Sequence, residues 1–479
     1  MKHKSVLWAF IYKFSERIAV KGLGLIISVI LARLLAPEIF GLLAIIEVFI
    51  NLANTFISSG LGTALVQNST TKEEDYSTVF FLSFGIAIVA NMILFVCAPA
   101  IGAFYKNDMI VWPLRVLSVA LLFGALNSVQ VAKLQREMRF REMMVCNLVA
   151  TVLSGAVGVA AAFGGLQLWA LVIYHVASTV VTSVGLVICS KWHPKWFFSV
   201  TRAKEFWGFG WKMLVSALLC SLYNDARSLI VGKRYSTVEL AYYNKGQQFP
   251  SVLSSTLDTS FQSVMLPVMS RAQKSKELLN DYLLRSIALS SLAVIPAMLG
   301  LAAISKTFFP YLLTEKWNQS IPLLYIFCIS YLFIPIQTPN LSLVMAAGRS
   351  DLYMKLEIIR RIVMLAILLP SIFCFHSGMA IAVGFLVSSI VDTFVIVAGT
   401  KRITDLGLGM QLSKIWKIFL SGFIMAVVVF FMNDLALHPL LLLISQIAVG
   451  AAVYIGALAL MKEKMLFEGI GMLKKFIGK

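Results

Sequence analysis

The chain has 479 residues, 59% of them hydrophobic and 13% charged, with a mean hydropathy of +0.85. A soluble globular chain carries about 45–50% apolar and about 25% charged residues, so a water-soluble enzyme, a disordered chain and a fibre are excluded. The formal net charge of +18 fits basic loops at lipid headgroups better than a nucleic-acid partner.

The N-terminal stretch MKHKSVLWAFIYKFSERIAV is basic, but its apolar run is only Val6 to Tyr12. Lys13, Glu16 and Arg17 interrupt it and no small-residue cleavage site follows, so it reads as an amphipathic lead-in to a first span rather than as a signal peptide. Stretches of about 20 mostly apolar residues, the length a spanning helix needs, fall at approximately 15–36, 41–66, 77–100, 112–132, 144–163, 167–190, 207–232, 247–270, 284–305, 321–346, 355–375, 379–400, 415–433 and 439–461. None shows the alternation of a barrel strand, and in lipid the remaining way to satisfy the backbone is a helix. The expected fold is therefore an all-α integral membrane protein of about fourteen transmembrane helices.

Orientation follows from the basic loops. KLQREMRFR (133–141), KWHPKWFFSVTRAK (191–204), RAQKSK (271–276), KRITDLGLGMQLSK (401–414) and the tail with Lys474, Lys475 and Lys479 share one side. Roughly 29 of the 41 Lys and Arg lie on that side against roughly 8 opposite, which makes it the cytoplasmic one and places both termini there. No loop exceeds about 20 residues, so no soluble catalytic domain fits between spans.

A shift of 200 positions sets Ala32-Arg33-Leu34 on Gly232-Lys233-Arg234 and Phe40-Gly41-Leu42-Leu43 on Leu240-Ala241-Tyr242-Tyr243. This predicts two pseudo-symmetric six-helix bundles, 1–190 and 207–402, joined by a basic cytoplasmic linker at 191–206. Two additional helices and a basic tail follow at 403–479. A repeat of six spans keeps its orientation, the parallel-repeat plan of some secondary transporters.

Ionisable groups within spans are costly and are functional candidates. In span 1, Lys13, Arg17 and Lys21 follow one another at four-residue steps on one face; snorkelling to the headgroups competes with a functional role. In span 2, Glu47, Asn51, Asn54 and Ser58 form a polar stripe; Gln247, Ser251, Ser254 and Asp258 form its counterpart 200 positions on, and Gln262 extends it. The alternative for both stripes is interhelical hydrogen bonding. Span 7 carries Lys212, Ser216, Cys220, Asn224 and Arg227, with Asp225 two residues from Arg227 and unable to pair with it along the helix. Asp392 and Arg285 read as structural, and Asn340, beside Pro335 and Pro339, marks a break in span 10. The cysteines at 97, 146, 189, 220, 328 and 374 lie singly in apolar segments and read as reduced thiols. There is no phosphate-binding loop, no H-E-x-x-H and no metal-ligand spacing, so no cofactor, metal or catalytic residue is expected.

Four strings, LARLLAPEIFGLLAI (31–45), LQREMRFREMM (134–144), LTEKWNQSIPLL (313–324) and LVMAAGRSDLYMK (343–355), carry a likeness over nearly the whole chain. The sequence resembles the polysaccharide-transport branch of the MOP flippase superfamily, the Wzx-type oligosaccharide-lipid flippases. That resemblance implies a MATE-like fold of two six-helix bundles with two extra helices, and a cavity lined by spans 1, 2, 7 and 8. It also implies translocation of undecaprenyl-diphosphate-linked repeat units across the bacterial cytoplasmic membrane by alternating access, for O-antigen, exopolysaccharide or capsule.

For such a cargo, Arg17, Lys21, Lys212 and Arg227 would meet the diphosphate, and Asn51, Asn54, Asn224 and Gln262 the sugars. Glu47, Asp225 and Asp258 would be ion-coupling candidates. Expected partners are the lipid-linked oligosaccharide, membrane lipids, a polysaccharide polymerase and glycosyltransferases, with no nucleic acid. A cation-coupled drug efflux pump of the same superfamily and a membrane polysaccharide polymerase or ligase are the alternatives. The basic stripe of span 1 counts against the first, and the lack of a sizeable outer loop with catalytic acids or bases against the second.

Overall fold

The computed structural model describes residues 3–58, 60–67, 71–273, 275–373, 375, 377–463 and 465. Within the helices, the side chains of residues 3–18 and of further positions, Lys212, Ser216, Cys220 and Asn224 among them, lie outside that description. Every regular element among the described residues is helical. In chain order these are α1 (His3–Leu34), α2 (Pro37–Ser58), α3 (Leu61–Gln67), α4 (Glu73–Tyr105), α5 (Val111–Arg136), α6 (Phe140–Phe163), α7 (Leu168–Ser190), α8 (Val200–Arg234) and α9 (Thr237–Arg271). They continue as α10 (Lys276–Leu313), α11 (Ser320–Tyr331), α12 (Ile334–Ala346), α13 (Ser350–Phe373), α14 (Gly378–Thr400), α15 (Leu408–Phe431) and α16 (Pro439–Leu460).

Among the described residues, ten stretches are long and apolar enough to cross a bilayer: α2, α4, α5, α6, α7, α10, α11 with α12, α14, α15 and α16. The shortest, at 22 residues, spans about 33 Å at about 1.5 Å per residue, against a hydrocarbon core of about 30 Å. Hydropathy alone predicts about fourteen. The other long helices, α1, α8, α9 and α13, lie where spans 1, 7, 8 and 11 are expected, and their sequences are richer in charge.

The internal repeat is visible in helix ends. α1 stops at Leu34 and α8 at Arg234; α2 starts at Pro37 and α9 at Thr237. Later in each half, α6 and α13 are both 24 residues long and α7 and α14 both 23. The turns that enter α6 and α13 match atom for atom. The Arg139 amide donates to Leu134 O (2.9 Å) and the Met138 amide to Gln135 O (3.1 Å); the Arg349 amide donates to Val344 O (3.2 Å) and the Gly348 amide to Met345 O (3.0 Å). Both are Schellman closures around one left-handed residue, Met138 (φ +59°) or Gly348 (φ +71°). Each is followed by an arginine that pairs locally, Arg139 with Glu137 and Arg349 with Asp351. The Arg349 guanidinium holds the exposed Asp351 carboxyl below the usual carboxylate range.

The chain divides into two compact units, Met1–Ala241 and Tyr242–Lys479. α8 and the linker before it fall in the first, and the division lies within α9. In the first unit the linker is fastened down. Arg202 grips Asp75 through two 2.7 Å bonds, and the Lys195 and Ser199 amides donate to Ser77 and Thr78 at the start of α4. Gln130 donates to Trp192 O at 3.1 Å, and the buried Trp192 ring meets Tyr76 and Phe80 edge-on.

The expected second span, 41–66, is broken at Gly60 (φ +93°), where the chain turns into α3. A Cβ there would stand 2.2 Å from the Gly210 carbonyl oxygen of α8, so both the dihedral and the close approach call for glycine.

In the second unit, α15 and α16 close over α10. Ile418, Met425 and Val429 pack with Ile295 and Ala303, and the Tyr454 hydroxyl donates to Leu292 O at 3.0 Å. The break expected near Asn340 falls between α11 and α12, at Leu332 and Phe333, just before Pro335. The carbonyls and side chains there are taken up by buried polar contacts. Gln337 donates to the Ser389 carbonyl (2.9 Å) and to Thr393 (3.0 Å), and Ser389 donates to Ser330 O (2.9 Å). Asn340 donates to Gln411 (2.8 Å) and accepts from Thr400 (2.8 Å). Asn340 thus has the structural role of holding α12 to α14 and α15.

Candidate functional site

In the first unit the polar stripe of α2 meets α5, α7 and α8. Glu47 is half-buried, and its Oε1 lies 3.1 Å from His175 Nε2 of α7. The same carboxylate acts electrostatically on Asp225 of α8, whose Oδ2 accepts from the Ser221 hydroxyl at 3.0 Å. Two helices distant in sequence thus contribute carboxylates to one neighbourhood, with an imidazole from a third.

Further along the stripe, Asn51 is exposed and Asn54 half-buried. Their backbone carbonyls accept from Thr55 and Ser58, both at 2.8 Å. The Asn54 amide oxygen lies over Gly124 of α5, 3.2 Å from where a Cβ would stand, so that glycine makes its room. Lys21 is exposed on α1, whose Ile27 side chain packs on Gly155 of α6. Arg227 is buried at 8% exposure and lies on a different face of α8 from Asp225, as a separation of two residues requires. Arg17, Lys212 and Asn224, expected on the same helices, lie outside the described side chains, as does Lys13.

In the second unit the counterpart stripe of α9 is organised around Asp258. Its Oδ2 accepts from Gln262 Nε2 at 3.1 Å, and it is hydrogen-bonded by Thr338 of α12, just beyond the helix break. Gln247 donates to the Tyr331 hydroxyl at 3.4 Å, on the other side of the break. Ser254 is fully buried. The chemistry available to Asp258 is that of a carboxylate held by neutral donors on a helix and at an irregular backbone segment, an arrangement open to a proton or a small cation.

Two ionisable residues escape the sequence reading. His175 was only one of five scattered histidines, and its position within a span was the available signal. Lys245, two residues before Gln247, is buried at 5% exposure, donates to Gln248 Oε1 at 3.0 Å and lies 5.6 Å from the Trp317 ring. It sits at the edge of the apolar window, where a lysine reads as a headgroup anchor.

The groups expected to be structural are ion-paired. Arg285 pairs with Asp281 one turn back at 2.9 Å. Asp392 lies 3.5 Å from Arg360, which with Arg361 also pairs with Glu357. The cysteines are not all single: Cys146 of α6 and Cys189 of α7 have their sulfurs 3.0 Å apart. Their sequence separation hides this, because the α6–α7 hairpin folds one onto the other.

Comparison with known proteins agrees with this architecture. Residues 30–322 match the family model described as "Polysaccharide biosynthesis protein". The teichuronic acid biosynthesis protein TuaB of Bacillus subtilis is 24% identical over 305 residues, 63% of this chain and 62% of that protein. The matched part of this chain thus spans a little under two thirds of that relative. The lipopolysaccharide biosynthesis protein WzxC of Escherichia coli is 26% identical over 378 residues, covering 78% of this chain and 76% of that one. Among solved structures, the lipid II flippase MurJ in an inward closed conformation superposes with a TM-score of 0.78 over 96% of this chain and 100% of its own, at 15% identity. That likeness establishes the fold. With the family model covering more than half of its length, the chain belongs to the polysaccharide biosynthesis protein family.

Proposed function

We propose that the chain is a flippase that carries undecaprenyl-diphosphate-linked oligosaccharide repeat units across a bacterial cytoplasmic membrane, for assembly of a surface polysaccharide. The observation that supports it most is the set of ionic and amide groups on long helices of a chain rich in membrane-length apolar helices: Glu47, Asp225 and Arg227 in one unit, Asp258 and Gln262 in the other. A lipid-linked diphosphate sugar is a cargo whose head group cannot cross hydrocarbon bare, and polar groups at membrane depth replace its lost hydration.

In this reading Arg17, Lys21, Lys212 and Arg227 bind the diphosphate, and Asn51, Asn54, Asn224 and Gln262 bind sugar hydroxyls. Glu47, Asp225 and Asp258 exchange the coupling proton or cation. Both termini are cytoplasmic, and the polymerase and glycosyltransferases of the same pathway are neighbours in the membrane.

The test is reconstitution of the purified chain in vesicles holding a fluorescent polyprenyl-diphosphate oligosaccharide, with leaflet exposure read by a membrane-impermeant quencher. Each charge-assisted hydrogen bond to the diphosphate contributes about 1.5–3 kcal/mol. Lys21→Ala combined with Arg227→Ala is therefore expected to slow translocation at least about 100-fold. Undiminished translocation by that variant would refute the cationic binding of the head group.

A further inference from the structure

On the second unit, away from the stripe of α9, α13 and α14 leave a cavity of about 560 Å³ between them. The helices touch tightly at its floor, where a Cβ on Gly399 would stand 2.5 Å from Leu356. Above that contact the walls are apolar: Ile358, Ile359, Val395 and Ala398. Ile358 is 51% and Ile359 44% exposed, and their neighbours Met354, Ile362 and Phe394 are exposed as well, so this face is unpartnered apolar surface.

At one end stand two cations, Lys355 near the start of α13 and Arg402 just beyond α14. Among the described residues, no carboxylate lines the cavity. Of the nearby acids, Asp351 pairs with Arg349 and also lies within electrostatic reach of Lys355, and Glu357 pairs with Arg360 and Arg361. The cationic end is also the end that leads into the basic segment 401–414, on the side that the loop charges assign to the cytoplasm.

We infer that this groove binds one anionic phospholipid of the adjacent leaflet. The headgroup phosphate lies between Lys355 and Arg402, and an acyl chain fills the apolar length toward Ile359 and Val395. The charge pattern selects the occupant. Two adjacent cations at the mouth of an oily slot complement a ligand with a phosphate at one end and hydrocarbon at the other. A sugar or a free nucleotide has no use for the slot, and a neutral lipid none for the cations. The site is separate from the proposed path of the cargo and stands whether or not that reading is right.

The experiment is native mass spectrometry of the full chain in a neutral detergent, titrated with dioleoyl phosphatidylglycerol or dioleoyl phosphatidylcholine, with and without millimolar inorganic phosphate. Wild type is expected to retain the glycerol lipid about 25-fold better than the choline lipid, roughly five-fold per cation. Lys355→Ala with Arg402→Ala should erase that preference, and Lys355→Arg with Arg402→Lys should keep it. Ala398→Trp, which fills the slot and leaves the cations, should weaken both lipids. Equal retention of the two lipids by wild type, or an undiminished preference in the double alanine variant, would overturn the inference. Displacement of phosphatidylglycerol by inorganic phosphate, with no effect of Ala398→Trp, would show a bare phosphate site and overturn it too.

Discussion

The Asp75–Arg202 pair offers the sharpest test of how the first unit is held together. Asp75 is 5% exposed and Arg202 26%, and two 2.7 Å bonds join them in a fork. Asp75 also accepts the Lys72 amide at 2.8 Å, closing the N-terminus of α4. Breaking a buried ion pair costs about 3–5 kcal/mol, whereas exposed pairs contribute about 0–1 kcal/mol. With one partner buried and the other a quarter open, a coupling of about 2–3 kcal/mol is expected. The measurement is a double-mutant cycle of Asp75→Ala and Arg202→Ala, read from unfolding of the purified full chain in mixed micelles of rising dodecyl sulfate content. Each single variant should lose most of the coupling, and the double variant should cost far less than their sum. Arg202→Lys, which keeps the charge but not the fork, should retain about half. A coupling below about 0.5 kcal/mol would show that the linker is not anchored through this pair, and the fastening of residues 191–199 onto α4 would need another cause.

Three further outcomes follow from particular contacts. Cys146 and Cys189, with sulfurs 3.0 Å apart, should form a disulfide under prolonged treatment with a mild thiol oxidant, seen as loss of two maleimide-reactive thiols that Cys146→Ser prevents; absence of cross-linking would contradict the α6–α7 register. Gly60→Ala should destabilise the chain by at least about 2 kcal/mol, since it adds a left-handed penalty to a clash with a backbone carbonyl 2.2 Å away. Gly210→Ala, whose Cβ would meet Gly60 at 3.3 Å, should cost clearly less in the same melting assay, and the reverse order would refute that packing. Asn340→Ala leaves Gln411 and Thr400 facing a buried gap and should cost about 2–6 kcal/mol, at about 1–3 kcal/mol per abandoned partner; a loss under 1 kcal/mol in dodecyl sulfate unfolding would mean that the network is incidental.

Much of the fold is legible in the sequence because lipid imposes one rule on every span. Hydropathy places α4 to α7, α14 and α16 within a few residues and sets a span inside the longer α10, and a constant offset of 200 finds the matching ends at Leu34 and Arg234. The later drift, with α6 at 140–163 answering α13 at 350–373, arises largely where α10, of 38 residues, answers α4, of 33. The break at Gly60 is hidden because α3 is as apolar as α2, so the run continues through a turn. Among candidate site residues, Glu47, Asp225, Arg227, Asp258 and Gln262 are found by their polarity alone. Their partners are not: which helix faces Glu47 is a matter of azimuth and tertiary packing, so His175 stayed one histidine among five. Lys245 is hidden in the sequence for the complementary reason, because position at the end of a span looks the same for an anchor and for a buried side chain near Trp317.

Charge within a span does not by itself separate function from architecture; the manner of its compensation does. α13 and α9 both carry ionisable groups, and the two are treated differently. On α13, Glu357 answers Arg360 and Arg361, and Arg360 also reaches Asp392 of α14, so opposite charges neutralise one another within a helix hairpin. Such a network is strongest when nothing moves, because separating its members leaves bare charge in a medium of low dielectric. On α9, Asp258 is met by an amide and a hydroxyl, Gln262 and Thr338. Neutral donors stabilise a carboxylate without fixing its charge state, and Thr338 belongs to a segment whose backbone is already interrupted. The first arrangement resists change in protonation and geometry, whereas the second tolerates both. Asp258→Asn therefore separates the two roles. It keeps the size and much of the hydrogen bonding, so the fold should melt within about 1 kcal/mol of wild type, while any translocation driven by a proton or cation gradient should lose its dependence on that gradient. A variant that translocates with unchanged gradient dependence would move Asp258 into the same structural class as Asp392.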